Sequence, residues 1–146
     1  MVSLSDTLLF DWDGTIVNSV PLIRAAHNHV RTLYKLPSWT EEEFQKNQHL
    51  SSRVLYPRLY GEQAAIATEK LYEYIERHAL LSLELMPGAD ELIDLFRAHN
   101  KICGVVSNKR HINLLKEIEH AGLKDVFPHA IGADHAEKDK PDTAPY

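Results

Sequence analysis

The chain has only one cysteine, Cys103, among its 146 residues. A single cysteine excludes an internal disulfide framework, which fits a reducing compartment. Because Cys103 lies in an apolar segment, the sequence predicts a small buried side chain there and not a nucleophile. No apolar run approaches the length of a transmembrane helix, and Met1 to Asp6 lack the basic and apolar regions of a signal peptide. We therefore expect a cytoplasmic protein.

Basic residues are also too few to mark a surface for anionic partners. The chain has 16 lysines and arginines against 21 aspartates and glutamates, a formal net charge of −5. This balance gives no electrostatic footprint for nucleic acid or an anionic membrane, so we expect neither as a partner. The sequence shows no internal repeat and no low-complexity segment. Its nine histidines lack the spacing of a zinc site and are expected at the surface.

Two aspartates follow the first apolar segment of the chain. Thr7 to Phe10 predicts a buried strand because it is short, apolar and followed by a turn signal at Gly14. Asp11 and Asp13 would project together from the carboxyl end of this strand, where open α/β sheets bind their ligands. Two carboxylates held this close need a cation or a shared proton. Such a pair suits a nucleophile beside a proton-transfer group.

The same Asp-x-Asp-Gly pattern occurs in calcium loops and in ordinary strand-to-turn corners. A calcium loop needs a third oxygen ligand two positions further on and a glutamate at its end. Thr15 could supply an oxygen, but Ile16 and Val17 follow and no glutamate closes the loop. EF-hand loops also follow a helix, whereas this one follows a short apolar run. Both alternatives remain beside the catalytic interpretation.

The middle of the chain, residues 20–83, shows helical patterns and nothing that alternates like a strand. Thr40 stands three residues before Glu43, a capping box that predicts the start of a helix. The longest helical pattern runs from Glu62 to Leu81. We therefore predict an all-helical insert over residues 20–83.

The flanking regions, residues 1–19 and 84–146, alternate strands with helices. The elements predicted after the insert are a helix from Pro87, a strand from Ile102 to Val106, a helix from Ile112 to Ala121 and a strand from His129 to Ala133. The helix after Pro87 would face Leu92, Leu95 and Phe96 inward. This alternation implies an α/β fold with a doubly wound parallel sheet, interrupted by the insert.

Three motifs resemble signatures of one known family. Phe10 to Thr15 resembles the first signature of the haloacid dehalogenase-like (HAD) hydrolases, in their phosphoglycolate phosphatase-like branch. Gly104 to Lys109 resembles the second, a strand that ends in Ser or Thr, and Asp139-Lys140-Pro141 resembles the third. Their order and separation match the family. The resemblance implies a Rossmann-like core in which residues 20–83 form a helical cap.

The resemblance also implies an activity and its residues. Members of this branch are magnesium-dependent phosphatases that hydrolyse small phosphomonoesters through an aspartyl-phosphate intermediate. Asp11 would be the nucleophile and Asp13 the general acid and base, with Mg²⁺ held by the Asp11 carboxylate and the Asp13 backbone carbonyl. Ser107, Asn108 and Lys140 would bind the substrate phosphate.

Several alternatives accompany this assignment. Ser107 and Asn108 could instead cap the next helix, and Lys138 and Lys109 are rivals of Lys140 for the same task. A phosphomutase of the same superfamily shares the first motif, and a truncated chain that binds without turnover is the non-enzymatic alternative.

One family signature is absent from the sequence. Complete members carry an acidic cluster that helps to hold magnesium on a strand beyond the lysine helix, and this chain ends before it. Asp134, Asp139 and Asp142 lie before or within the third motif and do not replace that cluster. We therefore expect the chain to be a fragment of a longer protein or a truncated product.

Overall fold

In the computed structural model, residues 8–135 are described, and three strands of that range form one parallel sheet in the order β1-β2-β3. The strands are β1 (Leu8–Phe10), β2 (Cys103–Val106) and β3 (His129–Ile131). Parallel neighbours require long crossovers, which helices supply here. The predicted α/β class is confirmed.

The helices occur in two groups along the chain. Between β1 and β2 lie α1 (Val20–Leu33), α2 (Glu41–Asn47), α3 (Ser52–Tyr60), α4 (Ala64–His78) and α5 (Ala89–Ala98), and α6 (His111–His120) connects β2 with β3. The described residues divide into two compact units. One contains the residues up to Ser19 and those from Leu83 onward, and the other is Val20–Ser82. No helix in residues 8–135 combines the length and the apolar character needed to cross a membrane.

The first unit is organised around one apolar core. Trp12 is fully buried in it and meets Phe127 edge-on, with 6.1 Å between the ring centroids. β1 and β2 pair in register, with Leu9 opposite Gly104. A Cβ atom at position 104 would lie 2.6 Å from Leu9 Cδ2, so glycine permits this side chain to cross the neighbouring strand.

Helix α5 buries Phe96 as predicted, and Leu92 is partly buried against the core, but Leu95 is not buried. Ala89, Ile93 and Phe96 are its buried residues, whereas Leu95 is 52% exposed. The buried positions follow the i, i+4, i+7 spacing of one helical stripe. Leu95, two residues beyond Ile93, therefore lies on nearly the opposite side, and its predicted inward orientation is wrong.

Strand β3 ends two residues earlier than predicted. The chain leaves the sheet after Ile131, and Ala133–His135 forms a 3₁₀ turn. The Ala133 amide donates a hydrogen bond to the Lys109 carbonyl at 2.8 Å. This bond draws the end of β3 towards the loop after β2 and so stops the ladder.

The second unit contains only helices among its described residues. Thr40 and Glu43 form the predicted capping box at the start of α2, with the Thr40 side chain accepting from the Glu43 amide. Helix α4 begins two residues later than its sequence pattern because Gly61, at φ +53°, and a 3₁₀ turn over Gly61–Gln63 precede it. It ends at His78, three residues before the predicted Leu81. Placement of this unit as a cap over a site stays a prediction.

A buried histidine lies in the core of the second unit, contrary to the expectation of surface histidines. His27 Nδ1 is 3.0 Å from the Tyr56 hydroxyl, and the ring also lies against Trp39 and Phe44. Burial, with a smaller contribution from the Arg31 charge, lowers the pKa of His27 from 6.5 to about 4. The native state therefore keeps this imidazole neutral.

We expect this histidine to make stability depend on pH. The pKa of His27 is 6.5 in the unfolded chain and about 4 in the folded chain, so the unfolded chain binds the proton at a higher pH. The stabilisation is therefore complete above pH 6.5 and falls as the pH drops towards 4, by about 3 kcal/mol in total. Urea unfolding at several pH values should show that the free energy of unfolding of the wild type falls between pH 6.5 and 4. This fall should be absent in His27→Gln. The matched variant His49→Gln, at an exposed position of the same unit, should keep it.

Candidate active site

Asp11 and Asp13 lie in a tight turn at the end of β1. The Trp12 carbonyl accepts hydrogen bonds from the amides of Thr15, Ile16 and Val17 at 3.0–3.2 Å. Gly14, at φ +77°, adopts the left-handed conformation that this turn requires. Asp11 is exposed, Trp12 is fully buried and Asp13 is half-buried. Side chains therefore alternate between a more exposed and a buried side, as expected of extended chain, and both carboxylates lie on the more exposed side.

Ser107 follows β2 at the same edge of the sheet. Because Phe10 pairs with Val105, the ends of β1 and β2 are neighbours. Ser107 is buried, and its Oγ accepts a hydrogen bond from the Lys109 amide at 3.1 Å. The N-cap residue of α6 is Arg110, so the alternative in which Ser107 and Asn108 cap that helix is wrong. Asn108 is half-buried in the same loop.

Within residues 8–135, Lys109 is the cation that pairs with Asp13. Its Nζ lies 2.7 Å from Asp13 Oδ1, and 2.8 and 2.7 Å from the two carboxylate oxygens of Glu117. The Lys109 side chain is 6% exposed and that of Glu117 only 3%. Asp13 therefore receives the charge compensation that two neighbouring carboxylates require, and a lysine supplies it.

Trp12 completes the arrangement. Its indole Nε1 donates a hydrogen bond to Glu117 Oε2 at 2.8 Å. Both oxygens of this buried carboxylate are thus hydrogen-bonded, as a buried charge demands. We call Trp12, Asp13, Lys109 and Glu117 the buried charge network.

Burial and the neighbouring charges of the network have opposite effects on the pKa of Lys109. Burial alone would lower the pKa of this ammonium, because it disfavours the charged form. The negative charges of Asp13 and Glu117, together with their hydrogen bonds, outweigh that effect and raise the pKa above its ordinary value. Lys109 is therefore a fixed positive charge within the site.

The end of β3 holds the beginning of α6. Asp134 Oδ1 accepts a hydrogen bond from the His111 amide at 2.6 Å, at the first residue of the helix. The His111 and His135 rings stack with 3.6 Å between their centroids. Burial and the nearby charge of His135 lower the pKa of His111. These contacts fix the helix that carries Glu117.

The sequence predicted part of this site. Asp11, Asp13, Ser107 and Asn108 follow the neighbouring ends of β1 and β2, as expected. Lys140 lies outside the described residues, as do Lys138, Asp139, Pro141 and Asp142. The phosphate-binding role of Lys140 therefore stays a prediction, and the rival Lys109 is the lysine beside Asp13.

Glu117 and Trp12 were missed as members of the site. The available signal was a carboxylate on the apolar face of a helix. The buried residues of α6 are Asn113, Leu114, Glu117 and Ile118, so Glu117 occupies a position where an apolar residue would be expected.

The donor groups of the turn fit magnesium. This ion prefers hard oxygens and is usually held by one or two carboxylates, waters and substrate phosphate oxygens. The exposed Asp11 carboxylate and the Asp13 backbone carbonyl belong to that class. Among residues 8–135, no three histidine, cysteine, aspartate or glutamate side chains converge to form a complete protein cage for a metal.

Comparison with known proteins gives a consistent result. The model of the family described as haloacid dehalogenase-like hydrolase matches residues 8–146. A phosphoglycolate phosphatase from Synechococcus elongatus is 26% identical over 125 residues, covering 82% of this chain and 57% of that protein. Pyrophosphatase PpaX from Bacillus pumilus is 26% identical over 147 residues, covering 98% of this chain and 66% of that protein.

A solved structure shares the fold. A predicted phosphoglycolate phosphatase from Haemophilus somnus matches with a TM-score of 0.83 and 22% identity, covering 98% of this chain and 70% of that one. The chain spans less than two-thirds of the length of the two curated relatives.

We expect loss of the Lys109 ammonium to destabilise the fold. Lys109→Met leaves Glu117 buried without its cation, which costs about 3–5 kcal/mol for a broken buried pair. Urea unfolding should show this loss in Lys109→Met. Lys124→Met, at an exposed pair with Glu119, should change stability little. The double variant Lys109→Met/Glu117→Leu should recover part of the loss. Equal stability of Lys109→Met and the wild type would contradict the buried pairing.

Proposed function

The chain belongs to the haloacid dehalogenase-like hydrolase family, as its motifs predicted, and from this we propose that the protein is a magnesium-dependent phosphatase. Its substrates are small phosphomonoesters of the phosphoglycolate type, and its intermediate is an aspartyl-phosphate. One observation carries the proposal: two aspartates and a buried serine lie at the neighbouring ends of two parallel strands. The similarity to phosphoglycolate phosphatases supports the substrate class.

Asp11 carries out the covalent step of the proposed reaction. Its carboxylate is exposed at the end of β1 and can approach a phosphoryl group. An Asp11 oxygen attacks phosphorus, the bond from phosphorus to the ester oxygen breaks, and the aspartyl-phosphate forms. The Asp11 carboxylate and the Asp13 backbone carbonyl would hold magnesium, and the ion would supply the positive charge that lets two anions react.

Asp13 moves the proton in both halves of the reaction. In its protonated form it gives a proton to the departing alkoxide. As a carboxylate it then accepts a proton from the water that attacks the aspartyl-phosphate, which releases phosphate and restores Asp11. The Lys109 ammonium lies 2.7 Å from Asp13 Oδ1, so the proposed proton-transfer group is held directly beside a cation.

Ser107, Asn108 and Lys140 hold the phosphate in the proposed reaction. The Ser107 hydroxyl accepts from the Lys109 amide, and a hydroxyl can still donate its hydrogen to a phosphate oxygen. Asn108 contributes from the same loop, and Lys140 offsets charge on Asp11 and the phosphoryl group.

The nucleophile provides the first test. Asp11→Asn is nearly isosteric but removes the attacking carboxylate, so phosphate release by the full-length protein should fall by roughly three orders of magnitude or more. Asp94→Asn, an exposed aspartate on α5, should retain activity. Release of inorganic phosphate is the measurement, because a mutase would transfer phosphate without net release. Turnover of Asp11→Asn near the wild-type rate would exclude the aspartyl-phosphate mechanism.

The proton-transfer residue provides the second test. Asp13→Asn keeps the backbone carbonyl and should keep magnesium binding, while its rate falls by roughly 10²- to 10⁴-fold. Magnesium titration by calorimetry and steady-state kinetics on the same sample separate the two effects. A variant with wild-type kinetics would refute the acid–base role.

A further inference from the structure

Glu117 is a buried carboxylate that the proposed mechanism does not use. It accepts three hydrogen bonds, one from Trp12 Nε1 at 2.8 Å and two from Lys109 Nζ at 2.8 and 2.7 Å. A lone buried carboxylate is strongly disfavoured, and an apolar residue would fill the same position on α6 without that cost. The buried carboxylate of Glu117 therefore indicates a function in the site that an apolar residue could not perform.

The position of Lys109 Nζ follows from its contacts with Glu117. An ammonium has three hydrogens on a flexible stem of four carbons. Two of its contacts are the Glu117 oxygens and the third is Asp13 Oδ1. With Glu117 fixed on a helix, the remaining hydrogen is directed at Asp13.

Trp12 ties Glu117 to the same turn by a second route. Its indole is immobilised in the core against Phe127, and its backbone directly precedes Asp13. Glu117 therefore contacts the turn in two ways. It accepts a hydrogen bond directly from the Trp12 indole, and Lys109 links it to the Asp13 carboxylate. Movement of the Asp13 side chain or of the turn would break a bond in this closed ring of contacts.

We propose that Glu117 is a positioning residue, which acts through Lys109 to orient the Asp13 carboxyl group for proton transfer to the leaving group. The inference rests on the proposed phosphatase function. Asp13 Oδ1 is held by Lys109, which directs the other carboxyl oxygen towards the reacting ester. The catalytic groups remain Asp11 and Asp13, and Glu117 touches neither substrate nor phosphate.

The dependence of rate on the leaving group tests this role. An alkyl phosphate needs a proton on its departing alkoxide, whereas p-nitrophenolate departs readily without one. The kcat/KM value reports the steps up to loss of the leaving group. In the full-length protein, Glu117→Gln should lower kcat/KM about tenfold or more for 2-phosphoglycolate and less than about threefold for p-nitrophenyl phosphate. Most of the loss should appear in kcat, because Glu117 does not bind the phosphate.

Two further variants make the test specific. Glu119→Gln, the same change on an exposed face of α6, should leave both substrates unaffected. In an Asp13→Asn background, Glu117→Gln should add no further selective loss, because the group that it positions is already gone. An equal loss for both substrates, or a selective loss that persists beside Asp13→Asn, would overturn the inference and leave the phosphatase assignment intact.

An NMR measurement follows the contact without turnover. In a Trp39→Phe background, Trp12 is the one remaining tryptophan of the chain. Its indole N–H proton should move upfield in Glu117→Gln, since a neutral amide accepts a weaker hydrogen bond than a carboxylate. An unchanged resonance would overturn the inference. A wild type inactive towards both esters would instead overturn the phosphatase proposal, and the inference with it.

Discussion

A buried ammonium group must be paired, and the pairing of Lys109 determines how three segments of the first unit meet. The turn after β1 supplies Asp13, the loop after β2 supplies Lys109, and α6 supplies Glu117. Each segment carries a charge that burial disfavours unless the other two are in place. The loop must therefore adopt the one conformation in which Nζ reaches both carboxylates. Packing of Trp12 against Phe127 and its bond to Glu117 extend the same constraint into the core.

The charge balance of the network has a chemical consequence. Among the described residues, one ammonium faces two carboxylates and Asp11 adds a third at the end of β1, so this part of the site is anionic in sum. An anionic site repels a phosphate ester, which is the reason that a divalent cation is required in the proposed reaction. Lys109 pairs with Asp13 at 2.7 Å, and in the proposed reaction it is the exposed Asp11 carboxylate that would bind the cation and attack phosphorus. The two aspartates thus differ in environment, as two groups with different tasks must.

The sequence was sufficient for features that local chemistry determines. The strand before Asp11 and the capping box of Thr40 and Glu43 follow from neighbouring residues. The predicted burial of that strand is wrong, because Leu8 is 40% and Leu9 53% exposed. The network does not follow from neighbouring residues, because Lys109 is 96 residues from Asp13 and Glu117 is 105 residues from Trp12. Pairing over such distances depends on the register of β1 with β2. The outward Leu95 and the buried His27 were missed for a related reason, since tertiary packing selects which face of a helix is buried.

The carboxyl edge of the sheet explains why these distant residues can meet at all. Parallel strands end at the same edge, so the segments after β1, β2 and β3 are brought together by pairing alone. The segment after β3 then acts on both of the others: the Ala133 amide binds the Lys109 carbonyl, and Asp134 binds the His111 amide at the start of α6. Lys109 and Glu117 are thereby fixed from the backbone as well as by their own charges. The proposed reaction needs the aspartates at this edge, and the Trp12–Glu117 hydrogen bond ties the turn that carries Asp13 to α6.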